Sequence, residues 1–137
     1  SKAGVRIKLI VRGICCIRPG RKGVSENIEV KSIVGDYLEH SRIYYFHNQG
    51  DPKVYGGSAD IMVRSFDRRI ESLFKVEDEI AQQFINILDY NLKDESNSYI
   101  LQEDGNYEKV IPKSGKGFNS HHEYYTMTGE PTCESLF

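Results

Sequence analysis

Cysteine is scarce in this chain of 137 residues, and the little there is does not pair up. There are three, Cys15, Cys16 and Cys133, an odd number with two of them adjacent. That arrangement excludes a disulfide framework and a CxxC metal pair. It predicts buried, reduced thiols in a cytosolic protein. Long apolar runs are missing as well. None approaches the roughly 20 residues that a membrane span needs, and nothing at the start reads as a signal peptide. No Met begins the chain, and no internal repeat or coiled-coil heptad runs through it. A large excess of one charge is also lacking, the net being −2. That balance conceals an asymmetry. Residues 1–75 carry 14 Lys/Arg against 8 Asp/Glu, a net of +6, and residues 76–137 carry 4 against 12, a net of −8. An anionic ligand is therefore expected in the basic half.

What is present fits a single domain, 1–137, long enough to bury a core. Ser1-Lys2-Ala3 before Gly4 reads as the last turn of a helix with glycine just past its end. Val5 to Val11 then alternates, with Val5, Ile7, Leu9 and Val11 on one side, and predicts a strand. A strand entered from a helix is expected to lie parallel to its neighbour. The chain is accordingly expected to be a fragment whose missing upstream part held that helix and at least one more strand. Arg12-Gly13 ends the strand at its carboxyl end, where open α/β sheets gather ligands; the plainer reading of Arg12 is a solvated strand-end arginine. Ile14 to Ile17 is a short apolar run. Arg18 to Gly23 is a basic, turn-rich loop, either a surface loop or a lid over an anion. Ile28 to Ile33 predicts a second, half-buried strand.

Phosphate chemistry concentrates in residues 34–60. A short helical turn after Val34 is expected to lead into a strand from Arg42 to His47. A turn at Asn48–Pro52 and a second strand from Lys53 complete an antiparallel hairpin. His40 and Arg42 are two apart, which predicts that both project to one side of a strand. A histidine can donate to a phosphate oxygen, shuttle a proton or attack phosphorus, and Arg12 and Arg42 can clamp phosphate oxygens. Gly57-Ser58 offers a hydroxyl and backbone N–H groups suited to an oxyanion. Farther on, Asp60–Arg69 is polar, Ile70–Val76 reads as a strand and Asp78–Leu92 as a helix, with Ile80, Phe84, Ile87 and Leu88 on one face. A hairpin is expected around Asp104-Gly105. His121-His122 falls in a polar tail and reads as solvated, since no carboxylate–His spacing of a metal site surrounds it.

The pattern His40-x-Arg42 followed by Gly57-Ser58-x-Asp60 resembles the phospholipase D superfamily motif, with Arg42 in place of a lysine, His47 where an aspartate falls, and Asp60 in place of an asparagine. A closer resemblance is to the C-terminal region of bacterial polyphosphate kinase, the type-1 family. It is carried by Leu9-Ile10-Val11-Arg12-Gly13-Ile14-Cys15-Cys16-Ile17-Arg18-Pro19-Gly20 and by Val24-Ser25-Glu26-Asn27-Ile28. Ser32-Ile33-Val34-Gly35, Leu38-Glu39-His40-Ser41-Arg42-Ile43-Tyr44, Gly57-Ser58-Ala59-Asp60 and Asp67-Arg68-Arg69-Ile70-Glu71 follow in order. The likeness is continuous from Ser1 to about Leu92 and weaker to about Tyr124. Residues 113–137 form a divergent polar tail. Many members carry a Trp after the Gly-Ser-Ala-Asp block, where this chain has Ile61-Met62.

This resemblance implies a phospholipase D-like mixed β-sheet with helices, of α/β (α+β) class. It implies a transferase, a kinase that reversibly moves the terminal phosphate of ATP onto inorganic polyphosphate through a phosphohistidine on a preceding domain. Arg12 and His40 are its implied contributions to binding the ATP phosphates, His40 being catalytic, with Arg42 and Ser58 as supporting residues. ATP and ADP are the implied nucleotides. Magnesium is implied mainly outside this chain, with no metal ligand within it. The implied partners are polyphosphate and the preceding domains, in a cytoplasmic homo-oligomer without a membrane span, membrane association of the parent enzyme being left open. The chain is implied to be most of the last domain of a longer enzyme, truncated on its N-terminal side, and the fragment alone is expected to be inactive. Two alternatives remain at this point. One is a phospholipase D-like phosphodiesterase with His40 as nucleophile. The other is a non-catalytic module binding anions or nucleic acid through basic residues interleaved with tyrosines, although no nucleic-acid partner is expected under the kinase reading.

Overall fold

Alternating apolar residues open the chain as a strand, β1 (Ile7–Ile10), and the next alternating run forms β2 (Ile28–Ile33). The two pair in parallel, Leu9 opposite Val30. The computed structural model describes residues 1–113 and 115–126. The further elements are β3 (Ile43–Phe46), β4 (Lys53–Gly57), α1 (Val63–Arg68), β5 (Leu73–Lys75), α2 (Asp78–Lys93), β6 (Ser98–Leu101), β7 (Tyr107–Lys109) and α3 (Ser120–Thr126). Among the described residues the chain divides into two compact units, one formed by Ser1–Leu38 with residues 90–126, the other by Glu39–Asp89.

The first unit holds a four-stranded sheet of order β1-β2-β6-β7. Only β1 and β2 run parallel; β6 lies antiparallel to β2 and to β7. Val30, wholly buried, and Leu101 anchor its core. Lys31, from the same strand, is 6% exposed. Its ammonium donates to the carbonyls of Leu92 (2.5 Å) and Asp94 (2.7 Å), capping the C-terminal end of α2, where the dipole favours a cation. Burial holds its pKa below the ordinary lysine value, with Asp94 opposing that shift.

Asp94 is fully buried and spends both carboxylate oxygens. Oδ1 accepts from the Asn97 N–H and the Ser98 hydroxyl, each at 2.8 Å, and Oδ2 from the Ser120 N–H (2.8 Å) and hydroxyl (3.0 Å). One side chain thus fixes the turn after α2, the start of β6 and the start of α3. Tyr90 packs against Phe118 and Tyr124, and the Tyr124 hydroxyl donates to Asn91 at 2.8 Å.

The second unit holds an antiparallel sheet of order β3-β4-β5. Val54 and Val76 are buried in it. At Gly56 an added Cβ would lie 2.6 Å from the Phe74 ring, so that ring occupies the space a side chain would take. The β3–β4 turn passes through Asn48 and Gln49, both at positive φ (45° and 56°), a conformation asparagine tolerates better than most residues.

Several expectations are corrected. The segment after Val34 is not helical. The Val34 N–H donates to the Asn97 carbonyl and that of Tyr37 to the His121 imidazole, so no i to i+4 ladder forms there. The hairpin strand begins at Ile43, not Arg42, and the last strand of the unit shortens to Leu73–Lys75. The polar stretch from Asp60 contains α1, whose Val63 and Phe66 are exposed and leave no apolar stripe to read. Two of the thiols are not buried, Cys16 being exposed and Cys15 partly so, and Cys133 lies outside the described residues. Of the polar tail, residues 127–137 lie outside the described residues. His121 is no solvated side chain, being 1% exposed within α3. The β3–β4 hairpin, the hairpin at Asp104-Gly105 and the helix from Asp78 are as expected, while the parallel partner of β1 is β2, joined to it without a helix.

Candidate functional site

The residues of the phosphate motif meet at one end of the three-stranded sheet, in the second unit. The Gly57 N–H donates to the Arg42 carbonyl at 3.1 Å, which closes the β3–β4 pairing at Ile43 opposite Gly56. The chain then turns through Ser58, Ala59 and Asp60. The Tyr44 hydroxyl donates to the Ala59 carbonyl at 2.9 Å. Burial, and secondarily the charge of Asp60, push the Tyr44 pKa above the ordinary phenol value, so the hydroxyl stays a donor.

Arg42 reaches across this turn. Its Nε and Nη2 donate to Asp60 Oδ1 at 3.1 and 3.0 Å, and its Nη1 donates to the His40 carbonyl. The Arg42 and Asp60 side chains are 20% and 31% exposed, so the pair is partly withdrawn from water. Arg64, one helical turn beyond Asp60, comes within 3.9 Å of its other oxygen. This corrects the expectation that His40 and Arg42 project from one side of a strand. Both precede the strand, and the arginine folds back onto the histidine's own peptide.

Ser58 is likewise engaged. Its hydroxyl donates to Glu71 Oε2 at 2.6 Å and accepts from the Ser72 N–H at 3.0 Å, while its N–H donates to the Ser72 carbonyl at 2.9 Å. The Gly57 and Ser58 N–H groups therefore hold protein carbonyls and do not form the oxyanion cradle expected of them. Gly57 is required by close approach, since a Cβ there would fall 2.6 Å from the Ser72 carbonyl oxygen.

His40 keeps an exposed side chain at this end of the unit. Arg12 belongs to the first unit and His40 to the second. Arg12 is also exposed and follows the carboxyl end of β1, where Val11 still pairs with the Lys31 carbonyl at 2.8 Å. Chemically, an exposed guanidinium and an exposed imidazole suit a phosphate ligand, the first as a fixed cation and the second as a donor or proton carrier. Among the described residues, no group of three His, Cys, Asp or Glu side chains is disposed to hold a metal ion. No helix among them is long and apolar enough to cross a membrane. Sequence reasoning missed Asp60 as the partner of Arg42 and Glu71 as that of Ser58. The Gly-Ser-x-Asp block names Asp60, but nothing in its spacing from Arg42 says that the two side chains meet.

Residues 1–121 match the family model described as polyphosphate kinase C-terminal domain 2. The chain is 54% identical over 111 residues to a polyphosphate kinase of Staphylococcus haemolyticus, covering 80% of this chain and 15% of that protein. It is 52% identical over 113 residues to one of Pseudomonas aeruginosa, covering 82% and 16%. A crystal structure of polyphosphate kinase from Porphyromonas gingivalis superposes with a TM-score of 0.85 at 37% identity, over 91% of this chain and 19% of that one. The chain thus spans less than a fifth of the length of these relatives.

Proposed function

The chain belongs to the polyphosphate kinase C-terminal domain 2 family, and from that premise we propose that it serves an enzyme that reversibly transfers the terminal phosphate of ATP to inorganic polyphosphate. Its mixed α/β architecture is of the phospholipase D-like kind. In this reading the chain is most of the last domain of a longer protein. The phosphohistidine forms on a preceding domain, and magnesium is held mainly outside the present residues.

Within that reading, Arg12 and His40 bind the ATP phosphates. The Arg12 guanidinium carries a permanent charge and offers paired N–H donors to phosphate oxygens. It stabilises negative charge on the transferring or leaving phosphates, where phosphoryl transfer depends on electrostatics and positioning. His40 donates a hydrogen bond, or a proton, to a phosphate oxygen. Ser58 and Arg42 act in support, through the turn they tie together, and the bonds they already make argue against a direct hold on phosphate.

The observation that carries the reading is the family match over residues 1–121, which spans both Arg12 and His40, each with an exposed side chain. The test is His40→Ala in the full-length enzyme that carries this domain. Polyphosphate synthesis from ATP should be lost while the fold persists by circular dichroism. Near-normal synthesis would remove the role given to His40.

A further inference from the structure

We propose that Asp60 and Arg42 form a positioning pair that sets the peptide carrying His40, so that Asp60 acts on phosphate transfer without touching phosphate. The inference rests on the reading of His40 given above and adds to it a residue, Asp60, that takes no part in binding.

The geometry supports a link rather than a ligand. A guanidinium has five N–H donors in a rigid fork. In Arg42 the Nε and Nη2 faces are spent on Asp60 Oδ1, at 3.1 and 3.0 Å, and Nη1 on the His40 carbonyl. The backbone of Arg42 is held by the same turn through the Gly57 N–H, and Tyr44 reaches that turn again at Ala59. The chain from His40 to Tyr44 is therefore tied at several points to residues 57–60. Without them residues 40–42, which precede the strand and have no ladder of their own, would sample many conformations. Holding a reacting group in place before the substrate arrives is a large part of its catalytic value. The pair is partly desolvated, so removing Asp60 leaves a cation poorly compensated and free to leave the His40 carbonyl.

The experiment is a double-variant cycle in the full-length enzyme, with Asp60→Ala, Arg42→Ala and the two combined, beside Asp60→Asn and His40→Ala. Each single variant and the double should lose the same factor in kcat/KM for ATP, between about tenfold and 100-fold, the scale of loss from misplacing a group by about 1 Å. Asp60→Asn retains an acceptor oxygen and should recover most of that loss. Hydrogen–deuterium exchange at residues 39–43 should quicken in Asp60→Ala with little change in melting temperature. If Arg42 instead grips phosphate, Arg42→Ala alone abolishes turnover, Asp60→Ala stays within about twofold, and the inference fails. Additive losses overturn it as well. Should His40→Ala synthesise normally, the reading of His40 fails, and this inference with it. Loss in His40→Ala with normal turnover in Asp60→Ala overturns the positioning pair alone.

Discussion

At Lys31 a cation is buried to cap a helix end. Replacing it by methionine keeps the stem and removes the donor, which leaves the Leu92 and Asp94 carbonyls short of a partner. We expect Lys31→Met to cost about 1–3 kcal/mol in urea unfolding. The pH dependence has a definite sign. Because burial lowers the folded pKa of Lys31, the unfolded chain binds more protons over the window between the folded and the ordinary lysine value. Stability relative to Lys31→Met should therefore rise as pH is raised through that window, and a fall would contradict the burial of the charge. In sequence Lys31 is only the polar member of an alternating strand. Alternation locates β2 but cannot show that an element 61 residues away covers its polar face. The same limit applies to Arg42: the motif identifies the residue, while its partner depends on how the chain turns after β4.

At the scale of elements, α2, β1 and β2 were legible because their apolar spacing repeats for long enough to be counted. Short pieces were not. Helix α1 exposes its apolar side chains, and α3 is a seven-residue helix whose signal is two adjacent histidines. Yet α3 holds the segment that leaves β2. The His121 Nδ1 accepts from the Tyr37 N–H at 3.3 Å, and Gly35 lies so close that a Cβ would fall 2.6 Å from that nitrogen. Gly35→Ala should then destabilise by about 1–3 kcal/mol, as overpacking does. His121→Phe should speed amide exchange at Tyr37, and His121→Asn should slow it again by restoring an acceptor near the same place. Unchanged exchange at Tyr37 in His121→Phe would show that the imidazole is not what holds this segment.

For the molecule as a whole, Arg12 belongs to one unit and His40 to the other. The family blocks order Arg12 and His40 along the chain but do not show that they fall in separate units, because contiguous sequence hides a discontinuous fold. On the proposed reading, the 137-residue chain by itself should make no polyphosphate from labelled ATP, since the histidine that carries phosphate lies elsewhere; turnover above a His40→Ala control would refute that. The discontinuity also bears on biosynthesis. Strand β2 cannot complete its sheet until β6 exists, Ile33 pairing with Ser98. At ribosomal speed the second strand partner follows on the order of 3–13 s later. The whole of residues 39–89 emerges in that interval, so the inner sheet of the first unit is a late product of translation, and β2 waits with one edge open to any other strand that reaches it first.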